Sequence, residues 1–263
     1  MTGVRPPLRQ LVLNEARAYA VFAGGRVTDH GFAVSLVCER LPDPRFNRAY
    51  VLDPESLTAE SLHELTRDFA SVSLPFRMDV FLPVSKRIEA FLERSLFDVT
   101  ESFASEMVLA KSPPSREANP AVRTERVSQD EIDTFSTVLM KSYEMPPALF
   151  PVALPILHET ITEALEHEGV MLYLGFVGSQ AVGVLYLFAE EGVGGIYNVG
   201  VLPESRKQGV ARALMLRAIQ DSRANRLSTL CLQTRAESFQ ERFYRELGFE
   251  VVARRNRAVR TSV

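Results

Sequence analysis

The sequence predicts a mixed α/β fold (α+β or α/β, with a mixed sheet) built in two halves that repeat one order of elements. Three observations lead there. Short apolar runs of strand character alternate with longer stretches of helical spacing. Residues 111–120, KSPPSREANP, hold three prolines and few apolar side chains, which reads as a linker. The halves also overlay: Pro54-Glu55-Ser56 parallels Pro203-Glu204-Ser205, residues 77–82 parallel 226–231, and FLERSLF at 91–97 parallels FYRELGF at 243–249. The expected domains are therefore roughly 1–115 and 116–263.

In order, a helix over 8–23 ends at Gly24-Gly25, and strands over 31–38 and 49–52 flank the turn-rich LPDPRFN. Asp53-Pro54 breaks the second strand. A helix over 61–70, a strand over 76–81, a helix over 85–94 and a strand over 107–110 complete the first half. The second half opens with a strand over 122–126, and Ser128 with Glu131 forms a capping box for a helix ending near Ser142. After a loop at 143–147 and a helix over 154–167, residues 170–177 and 181–189 form a hairpin across Gly178-Ser179-Gln180. A strand over 196–202, a helix from Arg206, a strand over 227–233, a helix over 236–247 and a strand from Glu250 follow.

Composition narrows the function. With 263 residues, 46% hydrophobic and 24% charged, the chain has room for one large or two modest domains. A net charge of −3 argues against broad nucleic-acid binding, which wants a basic face. No apolar run reaches the ~20 residues of a membrane span, and the N-terminus MTGVRPPLRQ lacks the apolar region of a signal peptide. Cys38 and Cys231 sit in apolar runs with no disulfide framework, so a cytoplasmic setting is expected. His30, His63, His158 and His167 show no metal-ligand spacing, and no metal is expected.

The chemistry is expected at residues 195–214, GIYNVGVLPESRKQGVARAL. An apolar strand is stopped by Pro203, which has no amide hydrogen for a ladder. Glu204 and Ser205 suit an acidic first turn and a cap, and from Arg206 the apolar stripe Val210, Ala211, Leu214, Met215 and Ala218 has helical spacing. Gly209, expected inside the first turn, lets a ligand come close. The first amides of a helix have no partner inside it, and the dipole places about half a positive charge there. With Arg206 and Lys207 alongside, a diphosphate is the natural guest. Neither a P-loop nor a dinucleotide fingerprint is present.

Arg206-Lys207-Gln208-Gly209-Val210-Ala211 resembles the R/Q-x-x-G-x-G/A motif of the GNAT superfamily of acyl-CoA-dependent N-acyltransferases. The preceding strand with its V-x-P, the strand over 227–233 and Phe243-Tyr244 with Leu247-Gly248-Phe249 extend the likeness. It implies two GNAT-like domains, each a mixed, mostly antiparallel sheet flanked by helices. It implies acetyl-CoA or another acyl-CoA as co-substrate, its pantetheine arm along Val199, Gly200 and Val201 and its diphosphate at Arg206, Lys207, Gln208, Gly209, Val210 and Ala211, with Arg212 within reach. The reaction implied is direct attack by a primary amine of a small molecule or peptide, with Val199 N–H as oxyanion donor. Tyr244 takes the position of the family's thiolate-protonating tyrosine. On its helix, Ala236, Phe239, Phe243 and Leu247 are the expected core stripe, with Tyr244 one step off it.

The base departs from the family pattern. Gly194 and Gly195 occupy the region where some members carry a glutamate, leaving Glu144, His158, Glu159 and Glu190 as candidates beside a water chain or substrate-borne deprotonation. The first half has Leu57, Glu60 and Leu62 where the second has Arg206, Gly209 and Ala211, so it reads as a degenerate copy that has lost the ligand. Two rival functions are a non-catalytic acyl-CoA-binding regulator and an acyltransferase acting on a hydroxyl. The acceptor would be lined by residues 143–158 and the EEGVG turn.

Overall fold

The computed structural model describes residues 7–41, 43–72, 76–110 and 117–260. Its packing separates two compact units: Met1–Lys111 with Gln233–Val263, and Ser112–Leu232.

The first unit begins with α1 (Leu8–Ala23), which Gly24 ends in a left-handed conformation. β1 (Arg26–Asp29), β2 (Ala33–Val37) and β3 (Arg48–Val51) follow, then a 3-10 turn at Pro54–Ser56 and α2 (Ala59–Asp68). β4 (Arg77–Phe81), α3 (Lys86–Arg94) and β5 (Phe97–Leu109) complete its N-terminal part. The second unit holds β6 (Val122–Arg126), α4 (Ile132–Ser142), α5 (Phe150–Leu165), β7 (Val170–Val177), β8 (Gln180–Glu190) and β9 (Val193–Val201). A 3-10 turn at Pro203–Ser205 leads to α6 (Val210–Ala224) and β10 (Thr229–Arg235), along which the chain passes back to the first unit. There α7 (Phe239–Glu246) and β11 (Phe249–Arg260) close the chain.

This division departs from the expected cut near 115. The reason is hydrogen bonding: β11 pairs antiparallel with β4 on one side and with β5 on the other, so everything after Gln233 is held in the first unit. Of the expected linker, residues 111–116 lie outside the described residues. The strand order in the first unit is β1-β2-β3-β4-β11-β5, and in the second β10-β9-β8-β7-β6. Each sheet is mostly antiparallel, with β3–β4 and β9–β10 as parallel pairs. Helices flank the sheets, as expected for a mixed α/β chain.

The order strand, 3-10 turn, helix, strand, helix, strand occurs twice, from β3 to β5 and from β9 to β11. Both Pro-Glu-Ser segments make the 3-10 turn because proline presets φ and removes a donor that a first turn does not need. Most expected elements recur within a few residues of their places, but β5 is far longer than the expected 107–110. Its first half carries the exposed polar residues Asp98, Thr100 and Glu101, which hides a strand from an apolar-run reading.

Each unit has its own core. In the first, Leu57, Leu65, Met78, Val80, Ile88 and Ala258 are sealed, with Phe69, Phe76 and Phe97 packed ring against ring. In the second, α6 lies on β7, β8 and β9 through Val210, Leu214 and Ala218, while α4 covers β8 and β9 through Phe135 and Leu139. The Tyr173 hydroxyl on β7 donates to Asp221 at 2.7 Å and fixes α6 along its length. One helical stretch, Pro147–Leu165, is long and apolar enough by length and composition to cross a membrane, with a mean hydropathy of 1.2. This revises the expectation that no apolar run is long enough. Pro155 falls inside it, and Leu149 and Val152 are exposed.

Candidate active site

The second unit brings most of the expected site residues together. β8 and β9 are in register from Glu190↔Val193 to Tyr186↔Tyr197, and again from Val184↔Gly200. Between these points Asn198 and Val199 face Leu185 alone, which is a β-bulge. Asn198 takes the left-handed conformation at φ 51°, and its Nδ2 is buried without a hydrogen-bond partner. On the other side of β9, the parallel ladder with β10 pairs Val193↔Thr229 to Ile196↔Leu232 within the second unit. β9 itself runs on through Tyr197 to Val201.

The edge leads into the turn. Leu202 N donates to Val182 O at 2.9 Å, keeping the strand end in the sheet, and Ser205 N closes on Leu202 O at 2.9 Å. Lys207 is left-handed at φ 64° and exposed. Gly209 is not inside the first helical turn, as the spacing suggested, but is the residue that caps α6, at φ 84°. A side chain there would be strained, and its Cβ would lie 3.1 Å from Asn119 Cβ. Glu204 and Ser205 sit in the 3-10 turn and do not cap α6, which has no side-chain cap at all. The first helical bond runs from Ala213 N to Gly209 O at 3.0 Å, so the amides of Val210 and Ala211 have no partner inside the helix. Half a positive charge and open donors face outward from an uncapped end.

The matching place in the first unit is closed. Thr58 caps α2 and forms a reciprocal capping box with Ser61: Ser61 N donates to Thr58 Oγ1 at 3.2 Å, and Thr58 N to Ser61 Oγ at 2.8 Å. Leu57 and Leu62 are buried beside it, and Glu55 is ion-paired to Arg87 at 3.0 Å. The amides of Thr58 and Ser61 are thus spent on each other's side chains.

Other expected residues are placed differently. The Arg206 guanidinium bonds Glu144 Oε1 at 2.7 Å and Ser142 O at 3.2 Å. Of the base candidates, Glu144 is thus engaged, and His158 Nδ1 lies 2.7 Å from Asp133. Tyr244 belongs to the first unit, on α7, whereas residues 193–212 belong to the second. It is 8% exposed, with ring centroids of Phe243 and Phe249 at 5.3 and 6.2 Å. The expected stripe on α7 is therefore rotated. Phe239 is 70% exposed, while Glu241, Tyr244 and Leu247 are buried. Glu241 turns inward because its carboxylate accepts from Ser105 Oγ at 2.8 Å and Glu237 N at 2.9 Å.

Two residues near the turn escaped the sequence reading. Asn119, inside the expected linker, donates from Nδ2 to Gln208 O at 2.8 Å and holds that carbonyl. Ser142, at the end of α4, lies over the second arm of the bulge: a Cβ on Gly200 would meet its Oγ at 2.1 Å, so only glycine fits. No local pattern marks either, because each acts on a residue far along the chain. Among the described residues no group of three or more His, Cys, Asp or Glu is placed to hold a metal ion.

Comparison with known proteins identifies the segment carrying this geometry. Residues 167–251 match the family model described as acetyltransferase (GNAT) domain. Solved structures share the fold over nearly the whole chain. A GCN5-related N-acetyltransferase from Kribbella flavida is 16% identical, with a TM-score of 0.66 and 96% of each chain covered. A second GCN5-related N-acetyltransferase, from Sphaerobacter thermophilus, is 18% identical at a TM-score of 0.58, covering 90% of this chain and 84% of that one. An acetyltransferase of the GNAT family from Novosphingobium aromaticivorans is 15% identical at 0.58, covering 98% and 100%. A search of curated proteins found no match to the sequence. Residues 167–251 are thus similar to an acetyltransferase (GNAT) domain, and the mixed, mostly antiparallel architecture is shared with these solved structures.

Proposed function

We propose that the protein is an acetyl-CoA-dependent N-acetyltransferase that passes the acyl group to a primary amine by direct attack. The observation that carries this reading is the uncapped start of α6 behind the bulge of β9, inside the segment that matches the GNAT domain. The residues present fit the co-substrate. Its diphosphate suits the amides of Gln208 to Ala211 with Lys207 beside them, and Arg212 stands one residue on. Its pantetheine amides suit the end of β9 at Val199, Gly200 and Val201. The unpartnered Nδ2 of Asn198 is an unused donor at the bulge.

The acyl-CoA supplies a thioester, whose C–S bond breaks as the N–C bond forms. A lysine-type amine of pKa ~10.4 is only about a thousandth neutral at pH 7, a cost of roughly 4–5 kcal/mol. A site that removes water from the amine, or a base, offsets that cost. An N–H at the bulge, that of Val199 foremost, is suited to the oxyanion, and Tyr244 to protonating the departing thiolate. The first half acts as a degenerate copy without cofactor. We further infer a small-molecule or peptide acceptor, no nucleic-acid partner, no resident metal and a cytoplasmic setting.

Calorimetric titration with acetyl-CoA tests the assignment. The wild-type chain should bind, and Gly209→Glu should abolish binding while far-UV circular dichroism reports a folded chain. The left-handed backbone at Gly209 costs any side chain about 1–2 kcal/mol, too little to unfold most domains. Unchanged affinity in the folded variant would refute the site. The rival reading, a non-catalytic binder, draws on the engagement of Glu144 and His158 with neighbouring charges. Release of free thiol on an amine panel separates the two.

A further inference from the structure

We propose that Arg206 is a positioning residue, a strut that locks the loop between α4 and α5 to the turn before α6, and not a ligand of the diphosphate. Its side chain gathers three acceptors from three parts of the second unit: Nε to Val201 O at 3.4 Å, and Nη2 to Ser142 O at 3.2 Å and Glu144 Oε1 at 2.7 Å. Those acceptors are the end of β9, the end of α4 and the loop that follows.

The loop shows a constraint of its own. Glu144 has φ 54°, a left-handed conformation that a glutamate adopts rarely and at a cost. Its carboxylate reaches the guanidinium from that conformation, and an Arg fork satisfies two acceptors at once where a lysine would act as a point charge. Lys207, the next residue, is exposed and forms no ion pair with a described residue, so it remains the cation for an anionic ligand. Ser142 connects the same loop to the bulge through its close packing on Gly200. The strut thus joins the turn, the bulge and the loop 143–149, where Tyr143 and Leu149 are exposed. Its link to cofactor binding rests on the acyltransferase reading; the strut itself does not.

Amide hydrogen exchange, with acetyl-CoA titration alongside, tests it. In ligand-free protein, Arg206→Gln should speed exchange across 143–149 about fivefold, Glu144→Gln should do so by less because the bonds to Ser142 O and Val201 O remain, and the double variant should add nothing to Arg206→Gln. Arg206→Lys should behave like Arg206→Gln. Acetyl-CoA Kd should change less than threefold in all of them. Exchange unchanged in 143–149 would overturn the proposal. So would a Kd weakened tenfold or more by Arg206→Gln and restored by Arg206→Lys, which marks a phosphate ligand. Failure of the wild-type chain to bind acetyl-CoA would overturn the cofactor reading instead, and the ligand-free exchange would still decide the strut.

Discussion

Replacing Glu106 with glutamine should erase a pH dependence of stability that the first unit builds into its core. Glu106 lies on β5 with no exposed surface, its Oε1 3.1 Å from Arg255 Nη1 but with no well-directed hydrogen bond at that oxygen. It belongs to a sealed ionic cluster. Arg48 and Arg255 reach Glu15 at 2.6 and 2.9 Å, and Arg77 and Arg48 reach Asp79 at 3.1 and 3.2 Å. Burial is the largest influence on Glu106; Arg255 opposes it, Glu15 adds to it, and Gln233 and Arg48 oppose it more weakly. The carboxyl is pushed up from 4.5 to about 7. An unfolded chain therefore ionises Glu106 near pH 4.5, while the folded chain keeps its proton to about pH 7. Its stabilising contribution is complete below 4.5, shrinks as pH rises towards 7, and is gone above. A gap of roughly 2.5 pH units at about 1.4 kcal/mol each gives about 3–4 kcal/mol. Glutamine mimics the neutral carboxyl at every pH. Glu106→Gln should match the wild-type chain near pH 4.5 and exceed its stability by about 3–4 kcal/mol at pH 8. Urea unfolding at intervals from pH 4.5 to 8, followed by far-UV circular dichroism because the chain has no tryptophan, measures it. A constant difference across that range would mean that Glu106 is ionised throughout and that attraction to Arg255 outweighs burial.

Two further outcomes follow from the proposed chemistry. Tyr244→Phe should lower turnover about a hundredfold or more, the range for a lost general acid, with acetyl-CoA affinity little changed; equal turnover would leave Tyr244 as core packing between Phe243 and Phe249. Binding should saturate at one acetyl-CoA per chain, because Thr58 and Ser61 cap the start of α2 and Leu57 and Leu62 are buried beside it; a stoichiometry of two would show that the first half still binds.

The sequence by itself determined what local physics controls. Gly24-Gly25 ending α1, the Ser128–Glu131 capping box, the Pro-Glu-Ser turns and the apolar face of α6 are all settled within a few residues of chain. The repeated order of elements was legible because both copies need the same punctuation at the same spacing. Tertiary structure alone decided the rest. Whether β11 belongs with its sequence neighbours or with β4 and β5 depends on hydrogen bonds across more than a hundred residues, to which propensity is blind. The side of α7 that turns inward was chosen by Glu241 meeting Ser105, and this buried Tyr244 and exposed Phe239. Gly209 caps α6, and Asn119 holds the carbonyl of Gln208 beside it from a distant segment. Nothing local in the sequence marks Arg48, Arg77 and Arg255 as buried. A buried charge is tolerable only beside opposite charges, and α1, β4 and β5 supply them here through Glu15, Asp79 and Glu106.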